Sequence, residues 1–137
     1  MGRVEAFAQG YQGSHTPPAP SYGAPMHDLG RLLPDDVYDR RVQRQYFGTG
    51  DERSDAQSFA AINRARGNPE VEVTVHRAVP AGVTSINPGD WVTPSAHYAH
   101  SHARSQFADG KVLSRTVPAR ELWTSGDSIN EFGWHPQ

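Results

Sequence analysis

The chain of 137 residues contains no cysteine. This excludes disulfides, thiolate metal sites and a cysteine nucleophile together. Apolar residues are also scarce: 36% are hydrophobic, enough for one modest core and too few for two in a chain of this length. No run approaches the roughly 20 consecutive apolar residues of a membrane span. Met1 to Gly13 lacks the apolar heart of a signal peptide,. The expectation is a soluble cytoplasmic protein with no membrane partner. A dominant charge is missing too. The net charge of −2 argues against a broad nucleic-acid-binding face, although Arg40, Arg41 and Arg44 with Lys111, Arg115 and Arg120 could form a local basic groove. There is no Gly-x-Gly-x-x-Gly, no phosphate-loop lysine and no Gly-x-Ser-x-Gly. Dinucleotide-fold dehydrogenases, nucleotide triphosphatases and serine hydrolases of the nucleophile-elbow type are therefore not expected. His97 and His100 could share a helix face while His102 faces elsewhere, and no carboxylate sits at ligand spacing, so solvated histidines are expected and no metal.

What the chain does have is proline and glycine, 11 and 13 residues, which imply many turns and much irregular backbone. They crowd the first third. Ser14-His15-Thr16-Pro17-Pro18-Ala19-Pro20 can continue neither a helix nor a central strand. Residues 1–50 therefore read as an irregular segment packed on or covering a core formed by 51–137, in one domain overall. A short helix is expected to open near Pro34. Ser54 with Gln57 suggests a capping box for a helix over about 55–66, which Gly67-Asn68-Pro69 ends. Val71, Val73 and Val75 alternate with polar residues as in a strand with one buried face, and Arg77 continues their parity. Val83 to Ile86 reads as a short extended piece. Trp91-Val92-Thr93 reads as a short strand, with Trp91 in the core. Thr93-Pro94 reads as the cap and first position of a second helix, whose buried stripe is Ala96, Ala99, Ala103 and Phe107. Lys111 to Val117 is a further strand, and Ile129 to Trp134 a last one.

Four positions along this core carry chemistry. Arg77 ends a buried strand face, where a guanidinium either pairs with a surface carboxylate or clamps a phosphate bidentately. Thr93 and Ser95 are explained by helix capping alone, and hydroxyls there can equally brace a site. Tyr98, one turn into the helix, is either ordinary packing or a ring on which a planar ligand stacks. Glu131 lies among Ile129, Phe132 and Trp134, where strand propensity disfavours it. It is either an exposed edge residue or a carboxylate placed to stabilise a developing positive charge.

An arginine on one strand, a hydroxyl pair closing a second and a late glutamate resemble the arginine–serine–glutamate layout of the ADP-ribosyltransferase superfamily, and in particular compact modules of phage and prophage polyvalent proteins. The resemblance spans about residues 71–134. It implies an α+β fold: compact split antiparallel β-sheets with two or three helices around an NAD cleft. It implies mono-ADP-ribosyl transfer from NAD to a macromolecular acceptor, a host protein or a nucleic acid, in the host cell cytoplasm if the chain is phage-encoded. NAD serves as substrate and no metal is required. On this resemblance Arg77 positions the dinucleotide, Thr93 and Ser95 brace the site, Tyr98 stacks on the nicotinamide, and Glu131 is catalytic. Arginine-directed members carry Glu or Gln two residues before the catalytic glutamate. Ile129 stands there in this chain, which points away from protein arginine as acceptor. Gly13-Ser14-His15-Thr16 is similar to the histidine–threonine motif of another branch, in which His15 would contact the adenosine ribose. The alternative to an enzyme is a non-catalytic phage interaction or inhibitor module on the same fold.

Overall fold

In the computed structural model the described residues are 23–43 and 47–136. Six strands run in the order β1 (Ala24–Pro25), β2 (Glu72–Val79), β3 (Trp91–Val92), β4 (Lys111–Pro118), β5 (Leu122–Thr124) and β6 (Phe132–Trp134). All pairings are antiparallel. They form a four-stranded sheet ordered β1-β5-β6-β3 and a two-stranded sheet of β2 and β4. Among the described residues one isolated bridge stitches the two sheets: His76 and Thr93 exchange backbone hydrogen bonds of 2.8 and 2.9 Å. Two helices longer than a single turn, α1 (Glu52–Ala65) and α2 (Ala96–Gln106), accompany them among the described residues. Short 3₁₀ segments at Met26–Arg31, Asp35–Tyr38 and Ala119–Glu121 complete the α+β architecture. No helix among the described residues is long and apolar enough to cross a membrane.

The valine alternation sets β2. Val73, Val75 and Val79 are buried, and Arg77 shares their face. Val73 and Val75 join Phe59, Ile62 and Ala65 of α1, Leu122 of β5 and Phe132 of β6 in one core. Ala24, Met26, Leu29 and Val37 belong to this core as well. β1 is two residues long and occupies the edge beside β5, too short to leave a periodic signature.

Several boundaries differ from the sequence reading. Helix α1 is capped by Asp51, whose side chain accepts from the Ser54 amide, so Ser54 is inside the helix and fully buried. Helix α2 is capped by Ser95, whose hydroxyl accepts from the Tyr98 amide at 3.0 Å. Thr93 lies before the cap, and its hydroxyl accepts from the Ser95 amide at 3.1 Å. Proline at 94 thus precedes the cap instead of opening the helix. In the stripe of α2, Ala99 and Ala103 are buried, while Ala96 and Phe107 are half-buried. Val83 to Ile86 forms no strand, although Val83 and Ile86 are buried. The last strand begins at Phe132, so Glu131 lies between the turn at Ile129-Asn130 and that strand.

Candidate functional site

A cleft of about 240 Å³ opens where the two sheets meet under α2. His76 and Arg77 of β2 line it with Trp91 and Thr93 at the β3 edge. Tyr98 and His102 of α2 form a further wall, and Glu131 completes it. Four of the six candidates, Arg77, Thr93, Tyr98 and Glu131, are thus gathered from positions up to 54 residues apart (131 − 77). Trp91 is half-buried and lines the cleft, where the sequence reading put it in the core. Ser95 does not line it. Ser95 is fully buried and donates to Gln57 Oε1 at 2.7 Å, fixing α2 to α1. His15 lies outside the described residues.

The centre of the site is a hydrogen bond. The Tyr98 hydroxyl donates to Glu131 Oε1 at 2.8 Å. Burial, and then the Glu131 charge, push the phenol well above its ordinary value of 10. The phenol therefore keeps its proton and acts only as a donor to the carboxylate. Its ring stands 4.7 Å from that of His102, tilted by 40°. Tyr98, expected as packing or a stacking ring, therefore orients the glutamate.

The backbone beside Glu131 is held from below. Asn130 is fully buried. Its side-chain Nδ2 donates to Asp55 Oδ1 at 3.2 Å, and its Oδ1 accepts from the Ser58 hydroxyl in a short bond. Asp55 also accepts from the Thr49 hydroxyl and amide at 2.7 and 2.8 Å. Polar side chains on the buried face of α1 thus lock the residue preceding the carboxylate. The sequence reading missed Asn130, Asp55 and Ser58. The available signal was polar residues on an apolar helix stripe: in a core, such groups need partners.

Arg77 is 5% exposed. Its Nη1 donates to the Trp91 carbonyl at 2.8 Å, and its Nε lies 3.6 Å from Asp90 Oδ2. Asp90 is equally buried and also accepts from the Asn87 amide at 2.8 Å. Its pKa is held above the ordinary 3.8 because burial outweighs that hydrogen bond and the attraction of Arg77. Gly89, at φ +88, makes the turn that presents Asp90. In that turn, the Gly89 amide donates to the Trp134 carbonyl and the Trp134 amide to Asp90. Arg77 therefore buttresses the wall that carries Trp91.

His76 Nδ1 lies 2.7 Å from Ser114 Oγ. Burial, and then the charge of His100, push its pKa below 6.5. Of the α2 histidines, His100 and His102 are exposed and His97 is half-buried. His97 lies 3.5 Å from Asp51, and His102 packs on Tyr98 in the cleft wall. Among the described residues no group of three or more metal-ligating side chains is assembled. Three of the basic residues noted for a nucleic-acid groove have other contacts. Arg115 stacks on Trp134, Arg120 pairs with Glu70 and Glu121, and Arg41 lies near Asp39. Arg44 lies outside the described residues.

Comparison with protein-family models, with curated proteins and with solved structures found no match.

Proposed function

We propose that the chain transfers ADP-ribose from NAD to a macromolecular acceptor, with nicotinamide as the leaving group. The observation that carries this reading is the Tyr98–Glu131 hydrogen bond inside a cleft shared with Arg77 and Thr93. Cleavage of the nicotinamide–ribose bond passes through an oxocarbenium-like state, which a fixed carboxylate stabilises. Glu131 is that carboxylate, accepting as well from the 2′-hydroxyl of the nicotinamide ribose. Tyr98 holds it in one rotamer. Trp91 and the Tyr98 ring offer flat surfaces for the nicotinamide. Arg77 lends positive potential to the wall against which the pyrophosphate lies. The acceptor class remains a host protein or a nucleic acid, with water as the acceptor in slow NAD hydrolysis.

The test is nicotinamide release by the purified chain, beside Glu131→Gln. The expected result is release by the wild type and a loss of about 10²–10³-fold in the variant, the range for removal of one transition-state electrostatic partner. A specific observation favours a second reading, the non-catalytic binding module. The Arg77 guanidinium is buried and engaged by Trp91 and Asp90, so a bidentate phosphate clamp requires those contacts to be exchanged. Absence of both nicotinamide release and calorimetric NAD binding would decide for that reading.

A further inference from the structure

The cleft must also dispose of a proton. When a neutral hydroxyl attacks the ribose carbon, the carbon–nicotinamide bond breaks and its electron pair neutralises the pyridinium. The new carbon–oxygen bond leaves one proton from the hydroxyl to be accepted. The groups already placed in the reaction are poor acceptors. Tyr98 holds its own proton firmly and has committed it to Glu131. Glu131 has one oxygen engaged by that bond, and its charge serves the oxocarbenium ion. Arg77 is a permanent cation. His102 is exposed and packed on the Tyr98 ring.

His76 differs from all of these. It is half-buried, lines the cleft and is the direct cross-strand partner of Ser114 in the β2–β4 ladder. His76 also pairs through its backbone with Thr93 at the isolated bridge between the sheets, so Ser114, His76 and Thr93 are successive partners across the ladder. Its backbone is clamped by both bonds of that bridge. When Nδ1–H donates to Ser114 Oγ across the 2.7 Å contact, Nε2 is left with the lone pair. Building on the transfer reading above, we propose that His76, its tautomer set by Ser114, accepts the proton of the attacking hydroxyl, whether that of water or of a macromolecular acceptor.

The charged and titratable groups around His76 are His100, His102 and Tyr98 from α2, Arg77 beside it on β2, Arg115 next to Ser114 on β4, and Glu131 on the same cleft. Burial and His100 together favour the neutral ring, the form able to accept a proton near neutral pH,. Because the acceptor is an imidazole of lowered basicity, a neutral hydroxyl suits it as a substrate group. A guanidinium, whose proton is held far more tightly, does not.

The experiment is the pH–rate profile of nicotinamide release between pH 5 and 9 for the wild type, His76→Gln and Ser114→Ala, with NAD affinity measured by calorimetry for each. The wild-type rate is expected to rise through an acidic limb below 6.5 and then to level off. His76→Gln should lose that limb and about a hundredfold of the plateau rate, with NAD affinity retained. Ser114→Ala changes an exposed side chain and keeps the fold. It should lower the plateau severalfold and leave a displaced limb. A His76→Gln or Ser114→Ala profile superimposable on the wild type would overturn the assignment while leaving the transfer reading intact. No release by the wild type would overturn the transfer reading and this assignment with it.

Discussion

The two long helices divide the work of the molecule. Helix α1 has 14 residues and buries seven side chains, three of them polar: Ser54, Asp55 and Ser58. Helix α2 has 11 residues and buries two, Ala99 and Ala103. A helix that buries small alanines lies close to the sheet and leaves its larger side chains for elsewhere. Tyr98 and His102 go to the cleft. Helix α1 puts its large side chains, Phe59 and Ile62, into the core and Asp55 and Ser58 beneath Asn130. One helix holds the fold, and the other furnishes the site. Gln57 joins them, since its Oε1 accepts from both the Ser95 hydroxyl and the His97 amide.

This contrast is sharpest under substitution. Ile62→Ala on α1 empties a fully buried position and is expected to lower the unfolding free energy by about 2–5 kcal/mol, as measured by urea denaturation. An effect below 1 kcal/mol would remove α1 from its structural role. Tyr98→Phe on α2 keeps the ring and deletes the donor to Glu131. The expected result is a fall in nicotinamide release of about ten- to a hundredfold, the scale of a hydrogen bond to a charged group, with the melting temperature changed little. A large loss of stability without a kinetic effect would reverse the assignment of the two helices.

The smallest effect is a pH slope. His27 and His76 both have pKa values lowered chiefly by burial. Between 6.5 and their folded values the unfolded chain binds more protons, so stability rises with pH through that window and is lost as pH falls below 6.5. His76→Gln should flatten part of that slope in denaturation midpoints measured from pH 5 to 8. An unchanged slope would place His76 in a more solvated setting.

Much of the scaffold was legible because it is periodic. The valines of β2 and the alanines of α2 repeat at the spacing of their elements, and Glu131 stood out as a charge among core residues. The unread parts depend on partners distant in sequence. Asn130 is fixed by Asp55 and Ser58, 75 and 72 residues away, and no local pattern encodes such a bond. The Arg77–Asp90 pair has the same origin: strand parity placed the arginine on the buried face, whereas the turn bringing Asp90 beneath it is set by Gly89 and β6. The exchange of roles between Thr93 and Ser95 came from a competition between adjacent hydroxyls, both able to cap. The helix begins late enough for the serine to win. Strands β1 and β5, at two and three residues, owe their existence to neighbours and leave no repeat of their own.

The isolated rung between the sheets has a mechanical consequence. At the cleft, His76 and Thr93 fasten the halves through two backbone bonds, together worth about 1–3 kcal/mol net. A rung at one point resists sliding in register but offers little leverage against splaying. The Arg77 bond to the Trp91 carbonyl and its pairing with Asp90 supply a second tie from β2 to the same edge, so the mouth, about 240 Å³ at rest, is held at two adjacent points. The aperture is thus fastened by two amides and a guanidinium, with the shared core behind them.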